Sequence, residues 1–415
     1  MAGFIEHLRT GAWLTRERVR LVALALLAAF VLGAGFLIAT SNGLNDRFGR
    51  PLGTDFSNVY AAGSYVLDGQ AAAPFDPARQ FAREQTIFGQ ATQFYGWHYP
   101  PFFLGLAGLL ATMPYWLALI AWQGVTLLFY LLAMRAIVSP HPEVTSDRLW
   151  LLLALAFPAV FINLGQAHNG FLTAALIGAA LTQLDRRPLV AGMLIGLLAY
   201  KPQFGPLIPL VLITTGRWRV FAAAAATVAV MTIAVTLAFG VDVWSAFLAT
   251  GKFTRTVVLE QGGTGWYKIQ SVFSWVRMWG GGIAFAYAAQ GAVMLAVAAA
   301  LIWLWRSPAA FPLKAAGLLI GSLLATPYSL DYDLMLLAPA IAYLALDGFA
   351  RGFGAYEKTI LAALWIVPLV ARSVPQATLI PLAVPVMLLA FVLLLRRAMK
   401  EAGVAQASSV LRRAL

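Results

Sequence analysis

The stretch Thr54-Asp55-Phe56-Ser57-Asn58-Val59-Tyr60-Ala61-Ala62-Gly63 sets one carboxylate in front of an apolar segment. A carboxylate within hydrogen-bond reach of a hydroxyl can take its proton as a new bond forms, so Asp55 is a candidate general base. An Asp in this place can equally cap a helix starting at Phe56. Asp46, Asp68 and Asp76 lie nearby and read as turn or surface residues. Lys201 stands between the apolar run 188–200 and Pro202. It can meet a phosphate or snorkel to a membrane interface. Arg372 offers the same choice. His98 precedes Tyr99-Pro100-Pro101 and is either a substrate contact or a structural histidine. Gln166, His168 and Asn169 share a short turn, where they read hydroxyls or satisfy helix ends. Gln203 belongs with them. Asp331-Tyr332-Asp333 has the form of a metal-binding pair, but two carboxylates are a thin set for Mg²⁺ or Mn²⁺ without a bound phosphate. Helix capping, or a hydroxyl contact by Asp331, fits better.

These groups need a scaffold, and composition says which. Of 415 residues, 61% are hydrophobic and 11% are charged, with mean hydropathy +0.78. Soluble domains carry roughly 25% charged residues, so this chain is an integral membrane protein. Its apolar runs are long and do not alternate with period two, which favours a helical bundle over a barrel. There is no cysteine, which excludes disulfide and thiol chemistry. The net charge of +12 is spread over loops and points to topology and anionic lipid, not to nucleic acid. Residues 21–40 are long enough to span and too long for a cleaved signal, so they read as an uncleaved first helix.

Twelve crossings are expected, at 21–40, 101–137, 149–164, 171–184, 188–200, 204–215, 220–240, 283–305, 315–325, 334–346, 359–371 and 377–395. Region 101–137 counts once, with 101–113 re-entrant or interfacial. Both termini then lie on one side, taken as cytoplasmic. That side collects Arg9, Arg16, Arg18, Arg20, Arg135, Arg148, Arg186, Arg187, Arg217, Arg219, Arg306, Lys314, Arg351, Lys358, Arg396, Arg397, Lys400, Arg412 and Arg413, most of the 29 Lys and Arg. Lys201 and Arg372 alone break the rule in short outer loops. The expected organisation is a single membrane domain, 1–400, with a cytoplasmic tail, 401–415, loose or lying on the inner leaflet. Its first outer loop, 41–100, is folded, with helical pieces at about 56–68 and 78–90. A second long outer loop, 241–282, carries Arg255, Lys268, Arg277 and a flexible Gly262-Gly263-Thr264-Gly265. It either orders over a substrate or is an ordinary solvated loop.

Thr54-Asp55-Phe56, Tyr60-Ala61-Ala62-Gly63, Tyr99-Pro100-Pro101-Phe102, Gly165-Gln166, Gly192 onward to Lys201-Pro202, and Ala325-Thr326-Pro327-Tyr328 before Asp331 form an ordered set over most of 50–340. In this the chain resembles glycosyltransferase family 87. The resemblance implies an all-α, polytopic GT-C bundle similar to polyprenol-phosphate-mannose-dependent mannosyltransferases. It implies a lipid-phosphate sugar donor, a lipid or glycan acceptor, reaction at the outer face of a bacterial-type inner membrane, inversion, and no metal or other cofactor. Asp55 matches the family's acidic residue in the first outer loop and takes the role of general base. Lys201 matches its Lys-Pro, and with Arg372 is the candidate for donor phosphate. Tyr60, His98, Tyr99, Gln166, Asn169, Gln203 and Asp331 are the candidates for substrate contacts. Around Asp331 the family usually carries other polar residues, often a His, so nothing carries over there. The competing reading is a transporter or flippase of lipid-linked or amphipathic substrates. It would place charged, broken helices at the midplane of repeated halves. An O-antigen ligase or polymerase would place its Arg and His in a large late outer loop. Here polar groups gather at one face beside a long first loop.

Overall fold

The computed structural model describes residues 2–414, with side chains for 3–403. Arg412 and Arg413 therefore lie outside the described side chains. Apolar runs that close their own backbone hydrogen bonds become helices throughout, and no strand forms among the described residues. Helix α1 (Ala2–Thr10) precedes α2 (Arg16–Ala39), whose 24 residues reach about 36 Å. Thr15 starts α2 by accepting the Arg18 amide. Almost all of α2 is exposed, as a lipid-facing helix of Leu, Val and Ala must be.

The first long loop holds α3 (Phe56–Leu67) and α4 (Pro77–Phe88), the two pieces expected there. Asp76 caps α4 by accepting from the Ala78 and Arg79 amides, with Pro77 at the first helical position. Helix α5 (Leu104–Ala111) lies along α3, and α6 (Tyr115–Val138) follows the break at Met113-Pro114. Region 101–137 is thus one long helix preceded by a short one. Small residues set the α3–α5 distance. A Cβ on Gly63 would lie 2.0 Å from the Ala107 carbonyl oxygen and 2.8 Å from Ala111 Cβ. Neither atom can swing aside. Gly63→Ala is expected to force α3 off α5 at a cost of about 1–3 kcal/mol. It should also displace Asp55 at the start of α3. Thermal unfolding and activity should fall together; an unshifted Tm would contradict this packing.

Among the described residues five helices are long and apolar enough to cross a membrane: α2, α6, Trp218–Phe239, Ile283–Arg306 and Asp331–Arg351. A sixth is the pair Leu149–Leu155 and Pro158–Gln166, bent by 43°. Pro158 offers no amide to continue the helix and holds Phe157 extended at ψ 123, which accounts for the bend. The other expected crossings fall on the shorter Gly170–Gln183, Pro188–Tyr200, Pro202–Thr214, Phe311–Ala325 and Glu357–Val370, and on Ala383–Ala414. Gly170–Gln183 and Phe311–Ala325 are buried on nearly every face and form the core of the bundle. Ala383–Ala414 runs on as helix into the tail that was expected to be loose or to lie on the inner leaflet; Leu415 lies outside the described residues.

The loops sort into two ends. At one, the Tyr356 amide donates to the Arg9 carbonyl at 2.7 Å and Arg16 pairs with Asp147 at 2.7 Å. Arg217 pairs with Asp185 at 2.5 Å, and Arg397 with Asp347 and Glu357 at 2.6 Å each. This is the basic end. At the other end the two long loops fold on each other. Thr250 donates to the Phe75 carbonyl, Phe75 packs on Phe247 at 6.0 Å, and His98 meets Thr254 at 3.0 Å. There, one large cavity opens.

Candidate active site

The cavity holds about 780 Å³ and lies between the loops around Asp55, Tyr95, Gln166, Lys201, Lys268 and Tyr328. Gly53, at φ +68, turns the chain into α3; a Cβ there would strike Leu119 and Ala167. The Phe56 amide closes this turn on the Gly53 carbonyl at 2.7 Å, and the Asp55 amide donates to the Gln166 carbonyl at 3.0 Å. The backbone therefore ties Asp55 to the end of Pro158–Gln166. Its side chain does something else. Asp55 stands at the N-cap position of α3 but makes no capping bond. Its torsions, φ −77 and ψ −18, are helical, whereas a capping Asp is normally extended. The capping explanation of this carboxylate fails, and the group opens onto the cavity. Burial pushes its pKa up to about 7; Arg372 opposes the shift, Asp331 adds to it, and Lys268 and Lys201 oppose it.

Both cations singled out by the charge rule line the cavity, and both are paired. Lys201 Nζ donates to Asp333 Oδ1 at 2.5 Å, with 4% and 1% of the two side chains exposed. It is turned inward, so snorkelling does not explain it. Arg372 grips Asp331 with two bonds, one from Nη2 at 3.2 Å, and keeps 40% of its side chain exposed. The carboxylates of Asp331-Tyr332-Asp333 thus each hold a cation instead of facing one another across a metal. Capping falls to Asp333, whose Oδ2 accepts the Leu330 amide at 3.0 Å. Among the described residues no three His, Asp or Glu side chains are grouped as metal ligands would be.

His98, Tyr99, Gln166 and Gln203 line the same cavity. His98 Nδ1 lies 3.0 Å from Thr254 Oγ1, and burial pushes its pKa down to about 4, so the ring is neutral at pH 7. Tyr99 Oη meets His168 Nε2 at 3.1 Å, and His168 stacks on Tyr332 with centroids 3.4 Å apart. Three expected contacts lie off the cavity. Tyr60 donates to the Met113 carbonyl at 2.9 Å and packs on Tyr115. Asn169 is buried, and its side chain finds no partner among the described residues. Asp331 sits behind Arg372.

Three features were not read from the sequence. Tyr200, Tyr328 and Tyr332 join Tyr99 in an aromatic wall, assembled from segments far apart in the chain. Glu84 accepts the Tyr95 and Gly96 amides at 3.0 and 3.2 Å and so fixes the loop that carries His98. Lys268 also lines the cavity. In the sequence it was one loop charge among several. Its loop is folded, not open. Trp266 Nε1 donates to the Leu259 carbonyl at 2.8 Å, and Arg277 lies 4.6 Å over the Trp266 ring.

A model of glycosyltransferase family 87 matches residues 97–327, more than half of the chain. The chain belongs to this family. No curated protein and no solved structure shows a significant match. The family 87 match includes Tyr99-Pro100-Pro101, Gly165-Gln166 and Lys201-Pro202. It stops short of Asp55 on one side and of Asp331 and Arg372 on the other. The fold brings Asp55 and Arg372 into the matched segment's cavity, with Asp331 behind Arg372; the Asp55–Gln166 bond and the Asp333–Lys201 pair tie the flanking segments to it. Membership makes the chain a membrane glycosyltransferase acting on a sugar donor and an acceptor, and displaces the transporter reading.

Proposed function

We propose that this family 87 enzyme moves a hexose, with mannose the expected sugar, from a polyprenyl phosphate to a lipid or glycan acceptor, with inversion. The observation that carries the reading is Asp55, a carboxylate that makes no capping bond, facing a cavity whose lining includes four cations and several tyrosines. The acceptor oxygen attacks the anomeric carbon from the face opposite the phosphate. Asp55 takes the hydroxyl proton, the C1–O bond to phosphate breaks, and polyprenyl phosphate departs with the electron pair. Arg372, with its outer edge exposed, and Lys201 flank the phosphate. His98, Tyr99, Gln166 and Gln203 contact the sugar or the acceptor. Asp331 acts through Arg372, and Tyr60 and Asn169 support the walls. A smaller apolar chamber of about 260 Å³, lined by Phe75, Trp97, Phe247 and Leu259, adjoins the cavity at His98 and Thr254. It takes the first isoprene units. No metal or other cofactor enters this scheme.

The basic end lies opposite the cavity, and the positive-inside rule supports reading that end as cytoplasmic, with both termini there and the cavity at the outer face of a bacterial inner membrane. Residues 1–400 act as one twelve-crossing GT-C domain, with 41–100 and 241–282 as its outer loops and 401–415 as a cytoplasmic extension. Two measurements test the reading. Purified enzyme should transfer sugar from polyprenyl-phosphate mannose and not from a nucleotide sugar, and the product should have the opposite anomeric configuration. Transfer only from the nucleotide sugar would sink the donor class. Second, kcat/KM should rise with pH and level off above an inflection near 7, since Asp55 must be ionised to act. A flat profile from pH 5.5 to 8.5 would remove Asp55 as the base.

A further inference from the structure

Four cations line the cavity: Arg50, Lys201, Lys268 and Arg372. Three are offset by a carboxylate in contact. Arg50 pairs with Asp46 at 2.9 Å, Lys201 with Asp333 at 2.5 Å, and Arg372 with Asp331. Lys268 has no ion pair and no side-chain hydrogen bond among the described residues; the Tyr267 ring lies 5.7 Å from its Nζ. The backbone beside it is nonetheless pinned. Ile269 bridges Leu330, the Gln270 amide donates to the Ser329 carbonyl at 2.6 Å, and Gln270 Nε2 donates to the Ala371 carbonyl at 2.7 Å. Ile269 and Gln270 are fully buried. These bonds staple Lys268 to the two segments that carry Asp331 and Arg372. An unpaired ammonium on an anchored backbone, inside a cavity whose other cations are already offset, is built to receive an anion.

We propose that Lys268 is the cation that takes the charge developing on the donor phosphate. This deepens the lipid-phosphate transferase reading and rests on it. When the C1–O bond breaks, the phosphodiester monoanion becomes a phosphomonoester dianion, so the phosphate gains one negative charge. Asp55 meanwhile loses one by taking the acceptor proton. Lys201 and Arg372 orient the phosphate, but Asp333 and Asp331 already compensate their charge. Lys268 supplies the remaining positive charge where the new negative charge appears, and such stabilisation acts on the transition state more than on the bound substrate. Burial and the nearby Arg372 push the Lys268 pKa down, while Asp55 and Asp331 hold it up. An arriving phosphate strengthens that second influence.

The test uses the full-length protein in nanodiscs with farnesyl phosphate and farnesol as probes. Wild type should bind farnesyl phosphate at least about tenfold more tightly than farnesol. Lys268→Met should lose most of that preference while binding farnesol unchanged, and Lys268→Arg should retain it. With polyprenyl-phosphate mannose, kcat of Lys268→Met should fall on the order of 10²-fold, and KM far less. Unchanged farnesyl phosphate binding by Lys268→Met would overturn the role of Lys268 and leave the donor class standing. Failure of the wild type to prefer the phosphate would overturn both.

Discussion

Asp55→Asn lowers turnover by about 10²- to 10⁴-fold, the range over which a positioned base contributes. It leaves donor binding near the wild-type value, because in the proposed scheme the phosphate meets cations on other segments. The variant should also fold at least as well as the wild type. Burial raises the Asp55 pKa from 3.8 to about 7, so folding disfavours its ionised form. The sign follows by linkage: the stability associated with this group is present at acid pH and is lost as pH rises from about 4 through about 7. Asparagine does not ionise and escapes that loss. At pH 8 the variant's Tm should therefore equal or exceed the wild type's, and at pH 4 the two should converge. A variant that is inactive because it is unfolded would show the reverse at pH 8, and would say nothing for a base. Carboxylates kept at a cost to stability are what an active site is expected to contain.

The second large effect concerns Lys201 and Asp333. Each is almost wholly buried, and each is the other's charge partner at 2.5 Å. Removing one leaves an uncompensated charge in a low-dielectric wall, which costs about 3–5 kcal/mol. Asp333→Asn can keep the bond to the Leu330 amide and still strands Lys201. Lys201→Met strands Asp333. Both single variants should unfold at clearly lower temperature in detergent. The double variant Lys201→Met, Asp333→Asn should recover most of the loss, since no charge is left unpaired. Additive losses in the double variant would show that the two residues do not act as a pair. Asp331→Asn should cost less, because the Arg372 it leaves unpaired is partly exposed and can reach water, whereas Arg372→Met strands a fully buried Asp331.

These pairs also show what the sequence could and could not reveal. Lys201 and Arg372 were conspicuous because each broke the positive-inside pattern, and both reach the cavity. Their partners were invisible: Asp333 lies 132 positions from Lys201, and no local pattern links them. Asp55 was legible from its motif, but setting aside the capping alternative needed backbone torsions. Tyr60 shows the opposite failure. It belongs to the same motif as Asp55, yet the helix carries its ring onto Tyr115 and Met113 instead of into the cavity. Lys268 had no local signal, because its place at the cavity comes from long-range bonds that seat Gln270 against Ser329 and Ala371. The membrane-embedded, helical fold was readable from composition together with the long apolar runs that lack period-two alternation. The length of individual helices was not, because Pro158 and similar breaks divide apolar runs in ways hydropathy does not record.

The measurement that bears most directly on the central claim is radiolabel transfer. Purified wild type and Asp55→Asn would each be incubated with labelled polyprenyl-phosphate mannose and a membrane lipid extract at pH 8. The expected result is a labelled product with the wild type, its mobility revealing the acceptor, and none above background with a folded Asp55→Asn. Equal transfer by the two proteins would contradict the role of Asp55 as the base.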